Sequence, residues 1–357
     1  MHWPAGIPLW FSKSCKFALS SNEEFRMTKS PRQIEPGQGK VAAAPPAAHP
    51  SLLFFAFAVV YLVWGSTYYA IRVGIESFPP FLMAGIRHLS VGLVFYPIFR
   101  RVTREKPTLT QWRTTAVTGF LLLLVGNGTV SWAEKFVPSG IAALLVSTVS
   151  LWMVLIDWLR PGGKAPGPRV IAGFFLGFAG MALLVGPKHL GGSERVSPLG
   201  AVALILASLA WAAGSIYSKH RPLPNSPLLG VAMQTLCGGT ALFIFALLRG
   251  EFVNFHLAAV SLRSWVAVFY LFLFGSALGL SAYVYVLKHS TAARVGTYAF
   301  VNPVVALFLG WFLAGEPLSV RTLLASAIIL TAVLLVITAP HKDSIEAEEG
   351  IPVPGEA

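Results

Sequence analysis

Residues 52–72 read LLFFAFAVVYLVWGSTYYAIR. No charge interrupts the run before Arg72, and its only small polar residues, Ser66 and Thr67, sit among the rings of Trp64, Tyr68 and Tyr69. A helix that crosses a bilayer needs roughly 20 mostly apolar residues, so this stretch has the length of one crossing. Nine more runs follow, at 80–99, 114–133, 138–159, 169–186, 198–218, 227–248, 264–287, 294–314 and 320–338. Their hydrophobicity is continuous, without the short alternation of a membrane β-barrel. The sequence therefore predicts an all-α membrane protein with ten transmembrane helices. The whole composition agrees: of 357 residues, 55% are hydrophobic and only 12% charged, where a soluble domain carries about 25% charge.

Proline, glycine and charge punctuate the runs. Pro79-Pro80 opens the second, Arg104 and Pro107 separate it from the third, and Glu134, Lys135 and Pro138 divide the third from the fourth. Pro161-Gly162-Gly163, Pro222 to Pro227, and Glu316-Pro317 mark later breaks. Lys and Arg are uneven between alternate connections. The set at 100–113, 160–169, 219–221 and 288–294 carries twelve, and the other set seven. The positive-inside bias assigns the richer set to the cytoplasm, which puts both termini there in an inner-membrane, multi-pass protein. The net charge of +12 is then a topological signal. No basic domain stands outside the runs, so nucleic acid is not an expected partner.

Residues 1–50 and 340–357 read as disordered tails, with Met27 a plausible alternative start. Cys15 and Cys237 suggest neither a disulfide framework nor a metal site. The expected partners are a lipid bilayer and a small-molecule substrate, with no cofactor and no metal; coupling ion and oligomeric state stay open.

The chain also resembles itself. Gly65-Ser66-x-Tyr68 near the end of the first run aligns with Gly214-Ser215-x-Tyr217 near the end of the sixth. The fourth and ninth runs each open on small residues and carry a tryptophan toward the end, Trp158 and Trp311. Two units of five helices, 51–187 and 198–338, would enter the membrane in opposite senses, the inverted repeat common among secondary transporters.

Trp64-Gly65-Ser66-Thr67-Tyr68-Tyr69-Ala70-Ile71-Arg72, then Pro79-Pro80-x-x-Met83-Ala84-Gly85-x-Arg87, resembles the opening of an EamA domain, the repeat unit of the drug/metabolite transporter superfamily. Tyr298-Ala299-Phe300-Val301-Asn302-Pro303 and Gly315-Glu316 resemble it in the second half, and Val125-Gly126-Asn127-Gly128 with Pro138-Ser139-Gly140 suggest its YedA-like branch. The resemblance spans roughly 52–338. It implies ten transmembrane helices, cytoplasmic termini and export of small metabolites or drugs. One departure stands out: Ser150 occupies the fourth run where the family often has proline, and Arg160-Pro161-Gly162-Gly163-Lys164 replaces the later Gly-Glu. This predicts a fourth helix that bends less than the ninth.

Arg87 lies a third of the way into the second run. A charge at such depth costs about 3 kcal/mol or more and faces a partner or a wet cavity. It either holds an anionic group of the substrate or bonds helix ends as a structural residue; His88 reads as structural. Aromatic residues with polar tips suit a cavity for partly apolar molecules, which makes Trp64, Ser66, Thr67, Tyr68, Trp211, Ser215 and Tyr217 candidates, the two tyrosines also fitting an interfacial belt. Asn127, Tyr283, Tyr298 and Asn302 must face the bundle interior, since unpaired polar groups are costly in lipid. Gly173-x-x-x-Gly177-x-x-Gly180 and Gly275-x-x-x-Gly279 read as helix-packing faces.

No Asp or Glu lies mid-run, and Glu134 is the best placed of the terminal carboxylates for a coupling proton. No phosphate-binding Gly-x-x-x-x-Gly-Lys-Ser/Thr loop occurs, which argues against an ATP-driven pump. No nucleophile–base or metal-ligand cluster can be assembled, so no catalytic residue is assigned and an enzyme is not expected. Export by alternating access is the leading reading; uptake, or a receptor or scaffold without transport, are the alternatives.

Overall fold

Short polar side chains start half of the helices. Ser197, Ser226, Ser261 and Ser319 each accept a hydrogen bond from the backbone N–H three residues on, and Thr108 forms a reciprocal capping box with Gln111. These contacts satisfy donors that a helix start leaves free. Pro80, Pro198 and Pro227 stand in the first turn, where a missing N–H costs nothing.

The computed structural model describes residues 50–161, 165–185, 197–253, 255–290, 295 and 298–338. The predicted tails, the alternative start at Met27 and the connection at 187–196 lie outside the described residues. Ten helices build the described chain: α1 Pro50–Gly74, α2 Pro80–Thr103, α3 Leu109–Ala133, α4 Ser139–Leu159, α5 Pro168–Val185, α6 Pro198–Lys219, α7 Pro227–Leu248, α8 Leu262–His289, α9 Tyr298–Ala314 and α10 Val320–Ile337. Seven of these are long and apolar enough to cross a membrane. The other three carry shorter apolar stretches, Pro168–Gly180, Val301–Ala314 and Val320–Ala332. No strand occurs among the described residues.

Two helix pairs meet along their length, α2 with α7 and α5 with α10. Glycine permits the first. A Cβ at Gly92 would stand 2.5 Å from the Leu236 backbone, and one at Gly239 would stand 2.3 Å from Leu89 N. Between these pairs, α1 packs on α8 and α9, and α6 packs on α3 and α4.

Hydrogen bonds gather the connections into two ends. At one end, Ser264 Oγ donates to Val73 O at 2.9 Å, Leu82 N donates to Glu251 at 2.8 Å, and Ser139 N donates to Glu316 at 2.8 Å. At the other, Asn225 N donates to Glu105 at 2.7 Å, Gln111 donates to Leu223 O at 3.0 Å, and Lys288 donates to Asn225 O at 3.4 Å.

Two local features were not foreseen. Both α3 and α8 contain a π-helical stretch, Phe120–Gly128 and Leu271–Leu278, and π turns within helices frequently mark functional sites. The comparison of α4 with α9 also comes out differently. α9 runs unbroken through Pro303, whereas α4 is interrupted at Ser147–Thr148. There Ser147 Oγ donates to Leu144 O at 2.6 Å and Thr148 Oγ1 donates to Leu145 O at 2.7 Å. Such back-bonding competes with the helix ladder, so α4 is broken without a proline.

Candidate functional site

Trp64 is the hub of the bundle interior. It lies just past the middle of α1, and its indole N–H donates to Gly275 O at 3.1 Å, inside the π-helical stretch of α8. A Cβ at Gly279 would come within 2.3 Å of Trp64 Nε1. A Cβ at Gly275 would stand 3.0 Å from Thr67, on the same helix as Trp64, so both glycines make room for the close approach of α1, as their spacing suggested. Gly180 likewise meets a helix: a Cβ there would stand 2.7 Å from Ile329 of α10.

Around Trp64 stand Trp211 from α6 at 5.4 Å, Tyr283 from α8 at 4.9 Å and Tyr298 from α9 at 5.7 Å between ring centroids. Helices from both halves of the sequence therefore contribute one aromatic cluster. Edge-on and tilted contacts of this kind suit the charge distribution of the rings.

Beside the cluster opens a cavity of about 70 Å³. Trp64, Thr67 and Tyr68 of α1, Arg87 of α2, Asn127 of α3, Trp211 of α6, and Tyr298 and Asn302 of α9 all line it. Arg87 is buried, with its Nη2 donating to Asn127 Oδ1 at 2.9 Å. Asn127 belongs to the π-helical stretch of α3, and Gly126 beside it faces the Trp211 ring, 3.1 Å from where a Cβ would stand.

His88, read from the sequence as structural, also lines the cavity. Arg87 Nε donates to His88 Nε2 at 3.2 Å. With Nε2 accepting, a neutral ring carries its proton on Nδ1. Arg87 Nη1, His88 Nδ1 and Trp211 Nε1 are buried and without hydrogen-bond partners. Along the described wall, every unpartnered buried polar atom is thus an N–H donor.

Four candidates lie elsewhere. Ser66 bonds Val63 O at 2.7 Å and the Tyr270 hydroxyl at 2.6 Å. Ser215 bonds the Tyr283 hydroxyl at 2.8 Å; Tyr283 belongs to the aromatic cluster with Ser215 behind it, and neither lines the cavity. Tyr217 lies in a separate cleft of about 500 Å³ between α4 and α6, under the Arg221 guanidinium at 5.5 Å. Asn302, with its amide nitrogen turned toward carbonyls, is 3.0 Å from Tyr61 O and 3.3 Å from Val60 O; it ties α9 to α1 just before Pro303. Glu134 is fully buried at the end of α3, with both carboxyl oxygens unpartnered and its backbone carbonyl accepting from Arg72. No group of three or more metal-ligating side chains occurs among the described residues.

The comparisons with known proteins agree with one another. The EamA-like transporter family matches residues 51–186 and again 198–338. The uncharacterized inner membrane transporter YedA of Escherichia coli K12 is 39% identical over 285 residues, which cover 80% of this chain and 90% of that protein. The uncharacterized transporter YvbV of Bacillus subtilis 168 is 26% identical, covering 80% and 91%. A probable amino-acid metabolite efflux pump of Escherichia coli K12 is 25% identical, covering 78% and 92%. One crystal structure matches with a TM-score of 0.57 at 20% identity, over 80% of this chain and 97% of that one, which speaks for a shared fold. A family match in both halves and a full-length relative at this identity lead to one conclusion: the chain belongs to the EamA-like transporter family and is a membrane transporter, not an enzyme.

Proposed function

We propose that the protein exports small carboxylate-bearing metabolites of amino-acid-like size across the inner membrane, by alternating access of two inverted five-helix repeats with both termini cytoplasmic. The observation that carries the substrate class is the cavity wall. Arg87 Nη1, His88 Nδ1 and Trp211 Nε1 are buried donors without partners, and an unsatisfied buried donor costs about 1–3 kcal/mol. A carboxylate relieves that cost, and the rings of Trp64, Trp211 and Tyr298 take the apolar remainder.

The pattern of contacts supports the inverted repeat. Helices five apart in order stand in matching surroundings: α1 meets α8 and α9, and α6 meets α3 and α4, while α2–α7 and α5–α10 pair with their own counterparts. The π-helical stretches fall in α3 and α8, again five apart. The richer basic end, with Arg100, Arg101, Arg104 and Lys288, is the cytoplasmic one on this reading. Export as the direction follows the printed name of the efflux pump relative.

The test is growth of cells overproducing the protein on inhibitory amino acids, amino-acid analogues and cationic dyes, with Arg87→Ala expressed at equal level. Resistance to carboxylates that Arg87→Ala abolishes is the expected result. Resistance confined to dyes and indifferent to Arg87 would overturn the substrate class, and heightened sensitivity would overturn the direction.

A further inference from the structure

Three residues of the described chain other than those α-helical or extended hold a positive φ: Arg104 at 54°, Gly250 at 68° and Gly315 at 64°. Each is followed directly by a glutamate, Glu105, Glu251 and Glu316. The left-handed residue turns the chain sharply as a helix ends, and the next side chain then reaches the start of another helix. Glu105 accepts from Asn225 N at 2.7 Å and Ser226 N at 3.2 Å, before α7. Glu251 accepts from Leu82 N at 2.8 Å, at the start of α2. Glu316 accepts from Ser139 N and Ser139 Oγ, both at 2.8 Å, and from Gly140 N at 3.2 Å, at the start of α4.

Glu105 and Glu251 are reciprocal. One leaves α2 for α7 and the other leaves α7 for α2, at opposite ends of the bundle. That helix pair is fastened at both ends along its close glycine contact. The Glu316 clasp fastens α9 to α4 at one end. Its counterpart would leave α4 for α9 at the other end, and the sequence omits it. Arg160 follows α4 with φ −69° and ψ 145°, Pro161 stands where the glutamate would be, and no Asp or Glu occurs from 158 to 168. Asp157, inside α4, is engaged with Arg160 at 3.2 Å.

Packing follows the clasps. Glu134 and Ser139, both buried, stand beside Glu316. Gly310 is shaped for the clasp as well: a Cβ there would fall 2.3 Å from Glu316 Oε2 and 3.1 Å from Ser139 Oγ.

We infer that Glu316 is a one-sided latch of the transport cycle, a positioning residue whose hydrogen bonds to the start of α4 hold that end of the α4–α9 seam shut, while α2 and α7 form a spine fastened at both ends. The inference rests on the alternating-access reading, and its test requires no substrate. Spin labels at Phe136→Cys and Leu313→Cys, both half-exposed beside the seam, report its width in reconstituted protein lacking Cys15 and Cys237. The parent gives one short distance. Glu316→Gln adds a longer component, raising the open population roughly tenfold, as loss of charge-assisted hydrogen bonds implies. Gly310→Ala, which keeps the charge and displaces the carboxylate, does the same, and Ser139→Ala, which loses one bond, does so more weakly. Glu105→Gln and Glu251→Gln leave the distance unchanged. An unchanged distance in Glu316→Gln and Gly310→Ala overturns the latch, as does equal opening by the two spine variants. A seam that opens in protein with no detectable export under any condition would uphold the latch and count against the proposed function.

Discussion

Trp64 depends on what is missing opposite it. A methyl group at position 279 would stand 2.3 Å from its ring nitrogen, so Gly279→Ala must push the indole off Gly275 O. Overpacking of this kind costs about 1–3 kcal/mol. The thermal midpoint of Gly279→Ala should fall, and Trp64→Phe in the same chain should recover part of the loss, since contacting residues are non-additive; strictly additive losses would refute the contact. The sequence disclosed much at this scale. Arg87, Asn127, Trp64 and Trp211 stood out as polar or aromatic residues in lipid-length runs, and they meet on one wall. His88 escaped because neighbouring helix positions point about 100° apart, whereas the long Arg87 side chain folds back to its ring. Ser66 and Ser215 were misleading for the opposite reason. A serine in an apolar helix has partners near at hand, and both spend their hydroxyls on tyrosines.

Helix beginnings and ends were legible because prolines, serines and glycines act locally. The interior irregularities were not. A π turn differs from an α turn only in which carbonyl each N–H reaches, and the same Leu, Phe and Gly residues serve either. Gly126-x-Gly128 and Gly275-x-x-x-Gly279 were the available signals, and glycine spacing alone cannot separate a loosened turn from a packing face. The α4 interruption likewise came from hydroxyls at Ser147 and Thr148, where attention to Pro303 pointed at the wrong helix. Helix starts held by carboxylates carry a pH signature. Burial pushes the Glu251 carboxyl above its ordinary value, against hydrogen bonds from the Leu82 and Phe81 backbone and the charges of Lys135 and Arg249. The folded chain therefore holds that proton more tightly than the unfolded chain. Its contribution to stability is full below the ordinary carboxylate range and declines as pH rises from about 4 through the folded value. Thermal midpoints of the purified protein should show this decline, and Glu251→Gln should flatten it; an identical slope in the variant would exclude Glu251 as its source.

For the whole molecule, apolar length was enough to read a helical membrane bundle from the chain, and the EamA-like family matches residues 51–186 and 198–338. The two matched stretches differ at a place the sequence itself shows, Arg160-Pro161 in the first against Gly315-Glu316 in the second. Writing a Gly-Glu pair at 160–161, as Arg160→Gly with Pro161→Glu, would supply the clasp that the first half lacks. A seam fastened at both ends should exchange slowly, so the double variant should reduce transport several-fold with the protein still folded. Transport equal to the parent would show that the sequence difference has no mechanical weight.

The π-helical stretches have a further consequence. A turn that holds more residues than its neighbours leaves the chain beyond it out of phase, by about 100° for each extra residue. In α3 and α8 such a turn acts as an insertion frozen into the reading frame of the helix. A gene one codon shorter within 120–128 would still encode an unbroken apolar helix, equally fit to be threaded into a bilayer. Everything after the deletion would be swung a quarter-turn relative to what precedes it. With the start of α3 held in place, Asn127 and Val130 would be turned away from the side chains of the other helices that line the cavity with them, and a length polymorphism invisible to hydropathy would remake its wall.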